Sequence, residues 1–235
     1  MRHSLALIAG AIAATMAASP ALAANRNFSV PDFTKLRVEG PYTVHVRTGS
    51  HVSVSAHGPQ RRLERLIVEE RDGTLVISTE KSAFNMGWAM GESQEVVVDI
   101  TVPTLSAASL TGSGDVSVDR IRTPMFEAAL TGSGDLAIAE INTGRLSAVV
   151  TGSGDLSLAG HAERADAAVR GSGDIKAGGL AVGALTVNVS GSGDVTVGPT
   201  RQAGGTLVGS GDIGIAGHPT CTISKHGSGD VRCGG

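Results

Sequence analysis

A four-residue motif, Gly-Ser-Gly-Asp, recurs seven times in the second half of the sequence. It begins at Gly112, Gly132, Gly152, Gly171, Gly191, Gly209 and Gly227. Successive copies are 20, 20, 19, 20, 18 and 18 residues apart. An internal repeat of about 20 residues is typical of solenoids, in which each repeat forms one coil that stacks on its neighbours.

Apolar residues alternate with polar residues on both sides of the motif. The positions four and two residues before its first glycine, and four and six after it, are apolar in nearly every copy; in the second copy they are Ala128, Leu130, Leu136 and Ile138. This alternation around a Gly-rich turn predicts strand, turn, strand. We therefore predict an all-β, single-domain parallel β-solenoid with about seven regular coils over residues 104–235. Because parallel crossovers are right-handed, we expect a right-handed β-helix.

The residue types of the motif suit a sharp corner. Two glycines permit positive φ angles, and an aspartate can accept hydrogen bonds from nearby backbone N–H groups. In stacked coils the aspartates would form one ladder, namely Asp115, Asp135, Asp155, Asp174, Asp194, Asp212 and Asp230.

The carboxylates of such a ladder, about 5 Å apart, would repel one another unless each is hydrogen-bonded, solvated or shares a cation. Ca²⁺ prefers oxygen ligands, and glycine-aspartate turns bind it in nonapeptide β-rolls. Those turns need a nine-residue period and a richer glycine loop, which this repeat lacks. We expect corner capping and no cofactor, with calcium on the ladder as the alternative.

Residues 1–23 have the features of a secretory signal peptide. They contain Arg2, an apolar run over 5–18 and the small-x-small sequence Ala21-Leu22-Ala23. The run is too short to span a membrane. Without Arg2 the mature chain has 18 basic and 22 acidic residues, and the lack of a basic patch argues against a nucleic-acid partner. We expect an exported protein in the periplasm, at the cell surface or secreted.

Residues 24–103 lack the motif, but their alternation predicts N-terminal strands and a cap of the same domain. The segment 81–94 interrupts this alternation with a possible contact loop that carries Phe84, Met86, Trp88 and Met90. Apolar side chains on a long loop can form a contact surface, or the loop can fold back over the open end or a side of the core. Both interpretations stay open.

The two cysteines lie symmetrically about the last motif. Cys221 is six residues before its first glycine and Cys233 six residues after it. Since an exported protein meets an oxidising compartment, we predict a structural disulfide that closes the last coil. A metal or redox pair would need further ligands at suitable spacing, which the sequence does not provide.

The repeats and the segment before them resemble a known family. Gly-Ser-Gly-Asp followed by Val, Leu or Ile, preceded by Phe33, Leu36, Val38 and the run Gly40-Pro41-Tyr42-Thr43-Val44, resembles the bacterial putative auto-transporter adhesin head GIN domain. The resemblance covers residues 27–235. It implies a β-helix-like fold and a cell-envelope setting, and it brings no catalytic residues.

Enzymatic motifs are absent from the sequence. There is no Gly-x-Ser-x-Gly elbow, and we interpret His45, His51 and His57 as surface histidines. We predict an exported, non-enzymatic envelope scaffold or adhesin-like binding module for a glycan or protein, with the oligomeric state left open. The alternative is a β-helix enzyme that acts on polysaccharide. An acid pair beside a groove would favour the enzyme, and a surface without a groove would favour the module.

Overall fold

The computed structural model describes residues 24–80 and 95–234. The predicted signal peptide at 1–23 and the predicted contact loop with Phe84, Met86, Trp88 and Met90 lie outside the described residues, so both stay predictions. Among the described residues, no helix has the length and apolar character needed to cross a membrane.

The described chain consists almost entirely of strands. In chain order the elements are β1 (Ala24–Phe28), β2 (Lys35–Glu39), β3 (Thr43–Thr48), β4 (Ser53–Gly58), α1 (Gln60–Glu64), β5 (Leu66–Arg71), β6 (Thr74–Thr79), β7 (Val97–Val102), β8 (Ala107–Gly112), β9 (Asp115–Gly132), β10 (Asp135–Gly152), β11 (Leu156–Gly171), β12 (Ile175–Gly191), β13 (Val195–Val197), β14 (Thr200–Gly209), β15 (Ile213–Ile215), β16 (Thr220–Gly227) and β17 (Val231–Cys233).

Strands β8 to β17 form the stack of coils that the repeat predicts. They pair in parallel with the register of the repeat, so that Leu130, Val150 and Val169 lie over one another in successive coils. The seven motifs stack along one edge and bound about six turns. The predicted all-β parallel β-solenoid is therefore confirmed, and its right-handedness stays a prediction.

Each coil has three sides, one more than the alternation around the motif predicts. In β10 the inward residues are Leu136 and Ile138 on the first side, Ile141 on the second, and Leu146, Ala148 and Val150 on the third. A fully buried Leu or Ile contributes about 1.5–3 kcal/mol relative to an exposed one. Stacking supplies this burial to a repeat that cannot bury its apolar face alone.

A second corner joins the second and third sides, and a buried threonine precedes it in two coils. The Thr143 hydroxyl donates a hydrogen bond across this corner to the Arg145 carbonyl (3.1 Å), whereas the Thr200 hydroxyl donates one back to the Gly198 carbonyl (3.0 Å), before the corner. These bonds satisfy hydroxyls that would otherwise be costly to bury.

The N-terminal strands stack in an order that differs from their order in the chain. β2 and β3 form a coil that lies directly against β8 and the start of β9. β6 and β7 lie on the other side of that coil. Beyond them the pairing becomes antiparallel, with β5 on β6, β4 on β7 and β1 on β4. These antiparallel strands end the parallel stack, while the proposed boundary between cap and repeat at residue 103 stays a prediction.

The last coil, β16 and β17, pairs with β14 and β15 on one side, and no described strand pairs with its other edge. The position two residues before the motif is apolar in the other six copies, but in the last coil it is the exposed Lys225. Cys221 and Cys233 form the predicted disulfide between the two strands, with Cα atoms 6.4 Å apart.

Candidate functional site

The two glycines of the motif meet different requirements. The first has φ between +118° and +137° in all seven copies, as at Gly152, whereas the second has no such angle. A Cβ on the second glycine, such as Gly154, would lie within 3.0 Å of the backbone of the equivalent glycine in the preceding coil, here Gly134. The expectation that both glycines supply positive φ is therefore wrong for the second, which is needed because the coils approach so closely.

The aspartates form the predicted ladder, and its hydrogen bonds run between coils. In each of six steps, Oδ1 of one aspartate accepts a hydrogen bond from the backbone N–H of the next, with N–O distances of 2.8–3.2 Å. Each carboxylate thus caps the corner of the following coil. Calcium on the ladder stays a matter for experiment.

Two aspartates of the ladder also form ion pairs: Asp230 lies 3.9 Å from the Lys225 ammonium and 3.4 Å from the Arg232 guanidinium, and Asp155 pairs with Lys176. The Lys176 ammonium donates a hydrogen bond to Oδ2 of Asp155. This bond lowers the pKa of Asp155, against a smaller opposing effect of partial burial, and it raises the pKa of Lys176.

A groove follows the second corner across successive coils, and we call it the corner groove. Its larger part has a volume of about 880 Å³ and a neighbouring part about 340 Å³, both open to solvent, and the two share His161 and Glu163. The side chains that line it are mainly polar, and they include Arg122, Asn142, His161, Glu163, Arg164, Arg201, Gln202 and Thr220.

Glycines alternate with charged residues at the corner position of this groove. Register places Gly144, Glu163, Gly183 and Arg201 at the same corner position of four successive coils. A Cβ on Gly183 would lie within 3.0 Å of both the Glu163 carbonyl and a guanidinium nitrogen of Arg201. The absence of a side chain at Gly183 therefore lets the guanidinium of Arg201 lie across the corner.

The charged groups of the groove are largely unpaired. Arg164, Arg201 and Glu163 are exposed, and their side chains form no hydrogen bond or ion pair with any part of the chain that the structure describes. Arg122 lies 3.8 Å from the Glu140 carboxylate. The groove thus offers guanidinium, carboxylate and imidazole groups that are free to bind a partner.

The three N-terminal histidines lie at the surface, as predicted. His51 shares a hydrogen bond with the Ser50 hydroxyl (3.1 Å). His45 and His57 flank Asp99, with N–O distances of 3.8 and 3.5 Å. Sequence spacing did not predict this cluster, because it depends on β3 and β4 both pairing with β7.

Comparison with known families decides where the chain belongs. Residues 32–219 match the family described as "Putative auto-transporter adhesin, head GIN domain". The chain belongs to this family. The resemblance stated from the motifs is confirmed.

Solved structures share the fold of this GIN domain. A putative adhesin from Bacteroides fragilis is 26% identical, with a TM-score of 0.82 over 90% of this chain and 96% of the other. A protein from Parabacteroides distasonis described as a putative lipid binding protein is 20% identical, with a TM-score of 0.70 over 89% and 96%. A putative adhesin from Parabacteroides merdae is 18% identical, with a TM-score of 0.66 over 89% and 95%. A search of curated proteins found no match.

Sequence reasoning missed the corner groove. A usable signal was present, since Pro124, Gly144, Gly183 and Pro199 interrupt the repeats near their middle and mark a second corner. Charged residues that cluster around such interruptions would have been the candidates.

Proposed function

We propose that this GIN domain is an exported, non-enzymatic binding module of the bacterial cell envelope that holds an extended glycan in the corner groove. The observation that carries the proposal is the shape of the groove. It runs from Arg122 in β9 to Thr220 in β16, which is five coil steps, or about 24 Å at the spacing of paired strands. A long, shallow, polar groove suits a linear chain of hydroxyl-bearing units better than it suits a compact small molecule.

The membership in an adhesin-like family supports a binding role. The groove supports a non-enzymatic one, because Glu163 is the only carboxylate among the described residues that line it. Glycoside hydrolysis ordinarily uses two carboxylates that flank the scissile bond. The groove is present, but the acid pair that would favour the polysaccharide enzyme is not part of its described lining.

Export is the second part of the proposal. It rests on the signal-like residues 1–23 and on the Cys221–Cys233 disulfide, which is compatible with an oxidising compartment. Fractionation of cells that express the full chain, with protease added to intact cells, would separate periplasmic, surface and secreted locations. Recovery in the cytoplasm with residues 1–23 attached would contradict export.

The binding test uses the mature chain and a pair of matched tryptophan variants. Gln202→Trp places a bulky ring in the groove from an exposed position, and Val208→Trp places the same ring at an exposed position of the same strand outside it. Binding to envelope polysaccharides is measured by calorimetry. We expect the groove variant to lose binding at least tenfold and the control to retain it.

Equal binding by both variants would place the glycan elsewhere, and no binding of any polysaccharide would refute the glycan-binding proposal. Polysaccharide samples are also assayed for new reducing ends after incubation. Their release, with loss of activity in Glu163→Gln, would favour the enzyme.

A further inference from the structure

We infer that the corner groove takes an acidic glycan, whose anionic groups pair with Arg164 and Arg201, in preference to a neutral one. This inference rests on the proposed glycan-binding function and specifies its ligand class. The first observation is that the groove is locally positive, whereas the whole chain has a net charge of −3. Among the residues that the structure describes, three arginines and one carboxylate line the groove.

Two of those arginines are available to an anion. Arg122 is shared with Glu140, whereas Arg164 and Arg201 have no ion-pair partner among the described residues. A guanidinium group can donate two parallel hydrogen bonds to one carboxylate, sulfate or phosphate group, which makes arginine well suited to such ligands.

The two free arginines are spaced along the groove. Arg164 lies in β11 and Arg201 in β14, with β12 between them, so their backbones are two strand spacings, or about 10 Å, apart. Gly183 lies between them, and its lack of a side chain leaves room for the guanidinium of Arg201. This arrangement fits a chain with anionic groups at intervals, each facing one arginine.

Glu163 adds selectivity within the groove. Its exposed carboxylate can accept hydrogen bonds from sugar hydroxyls, and it repels an anionic group that lies too close. A densely charged polymer would suffer this repulsion more than one whose charges alternate with hydroxyl groups. Removal of the negative charge at Glu163 should therefore strengthen the binding of any acidic glycan.

The aspartate ladder restricts an acidic partner to this side of the molecule. Seven carboxylates line the motif edge, and ion pairs offset this negative charge at two of them, Asp155 with Lys176 and Asp230 with Lys225 and Arg232. Because like charges repel, an acidic polymer is disfavoured along that edge and directed towards the groove.

The experiment compares oligogalacturonate with its carboxyl-reduced, neutral form, and it adds a sulfated and a phosphate-bearing polymer with neutral dextran as a control. We expect the mature chain to bind at least one acidic polymer tenfold or more tightly than its neutral counterpart. The preference should shrink as salt is raised, since salt screens exposed charges.

Three variants locate the effect. The double variant that combines Arg164→Ala and Arg201→Ala should weaken acidic-glycan binding at least tenfold. The single variant Glu163→Gln should strengthen it two- to fivefold. Arg145→Ala is the matched control, because Arg145 is an exposed arginine that precedes Arg164 in the same column but does not line the groove.

The outcomes separate this inference from the proposed function. Equal binding of acidic and neutral forms, with loss in Gln202→Trp, would overturn the acidic preference and leave the glycan-binding module intact. Binding of neither form would refute the module itself. An Arg145→Ala loss as large as that of the groove variant would show a nonspecific charge effect and overturn the inference.

Discussion

Gly154→Ala is the sharpest test of how the coils stack. Gly154 is buried at the motif corner of a central coil, and an added Cβ would lie within 3.0 Å of the carbonyl oxygen of Gly134. The opposing atoms belong to the backbone, so no side chain can rotate away. The two coils would have to separate locally to admit one methyl group.

The expected cost follows from the contacts at that corner. Overpacking of a tight interior costs about 1–3 kcal/mol. Separation also weakens two hydrogen bonds to the Gly132 carbonyl, from the N–H groups of Ser153 (2.8 Å) and Gly154 (3.1 Å), each worth about 1 kcal/mol. We therefore expect Gly154→Ala to lower the free energy of unfolding by about 3–5 kcal/mol, a large part of the 5–15 kcal/mol typical of a domain.

Urea unfolding followed by circular dichroism measures this loss, and Gly178→Ala is the control. A Cβ at Gly178 would make only an ordinary contact, 3.8 Å from a Thr196 methyl group. The control should stay within about 0.5 kcal/mol of the parent chain. If Gly154→Ala unfolds at the same urea concentration as the control, close coil contact is not the reason for the second glycine.

Three further predictions concern the ladder and the last coil. Asp135→Ala should lower the free energy of unfolding by about 1 kcal/mol, because the backbone N–H of Asp155 loses its hydrogen-bond acceptor. Asp135→Asn should lower it less. Equal losses would contradict simple capping, and so would a melting temperature that rises with Ca²⁺ and falls with EDTA. Lys176→Gln should cost about 0.5 kcal/mol near pH 7. Because the pKa of Asp155 is lowered in the folded state, this difference should be complete above the unfolded-state value of about 3.9 and should be lost as the pH falls through the folded value. A difference that does not shrink at all as the pH falls below about 3.9 would refute the ion pair as its cause. Cys221→Ser with Cys233→Ser should loosen the last coil and expose it to protease, and an unchanged digestion pattern would count against that role.

Two sides of each coil could be predicted from the sequence because their inward residues keep a fixed distance from a motif. Leu110 and Leu130, for example, both lie two residues before a first glycine. The second side does not keep such a distance. Val182 and Thr200 pair in the structure, yet they lie 11 and 9 residues after the first glycines of their motifs. The number of residues between the motif and the second side differs from coil to coil. An alignment on the motif therefore does not bring the buried residues of this side into register.

The same irregularity concealed the corner groove. Its charged residues lie next to the second side, whose distance from the motif varies between coils. Exposed polar residues at a corner also show no alternation of apolar and polar residues from which their neighbours could be predicted. The position of the β2–β3 coil in the stack could not be predicted from the sequence either. Alternation predicts which face of a strand is buried, but not which strand will lie beside it.

The stacking order of the N-terminal coils sets how much of the chain must be present before the first coil is complete. The β2–β3 coil needs β8, whose Ala107 pairs with Lys35 from 72 residues earlier, so a nascent chain that stops before β8 lacks one wall of its first coil. Closing that long loop is slow and entropically costly. After β8 has docked, each further coil closes a loop of only 18 to 20 residues on a surface that is already formed. Folding therefore requires one long loop closure, between β2 and β8, and then a series of short closures, one for each further coil.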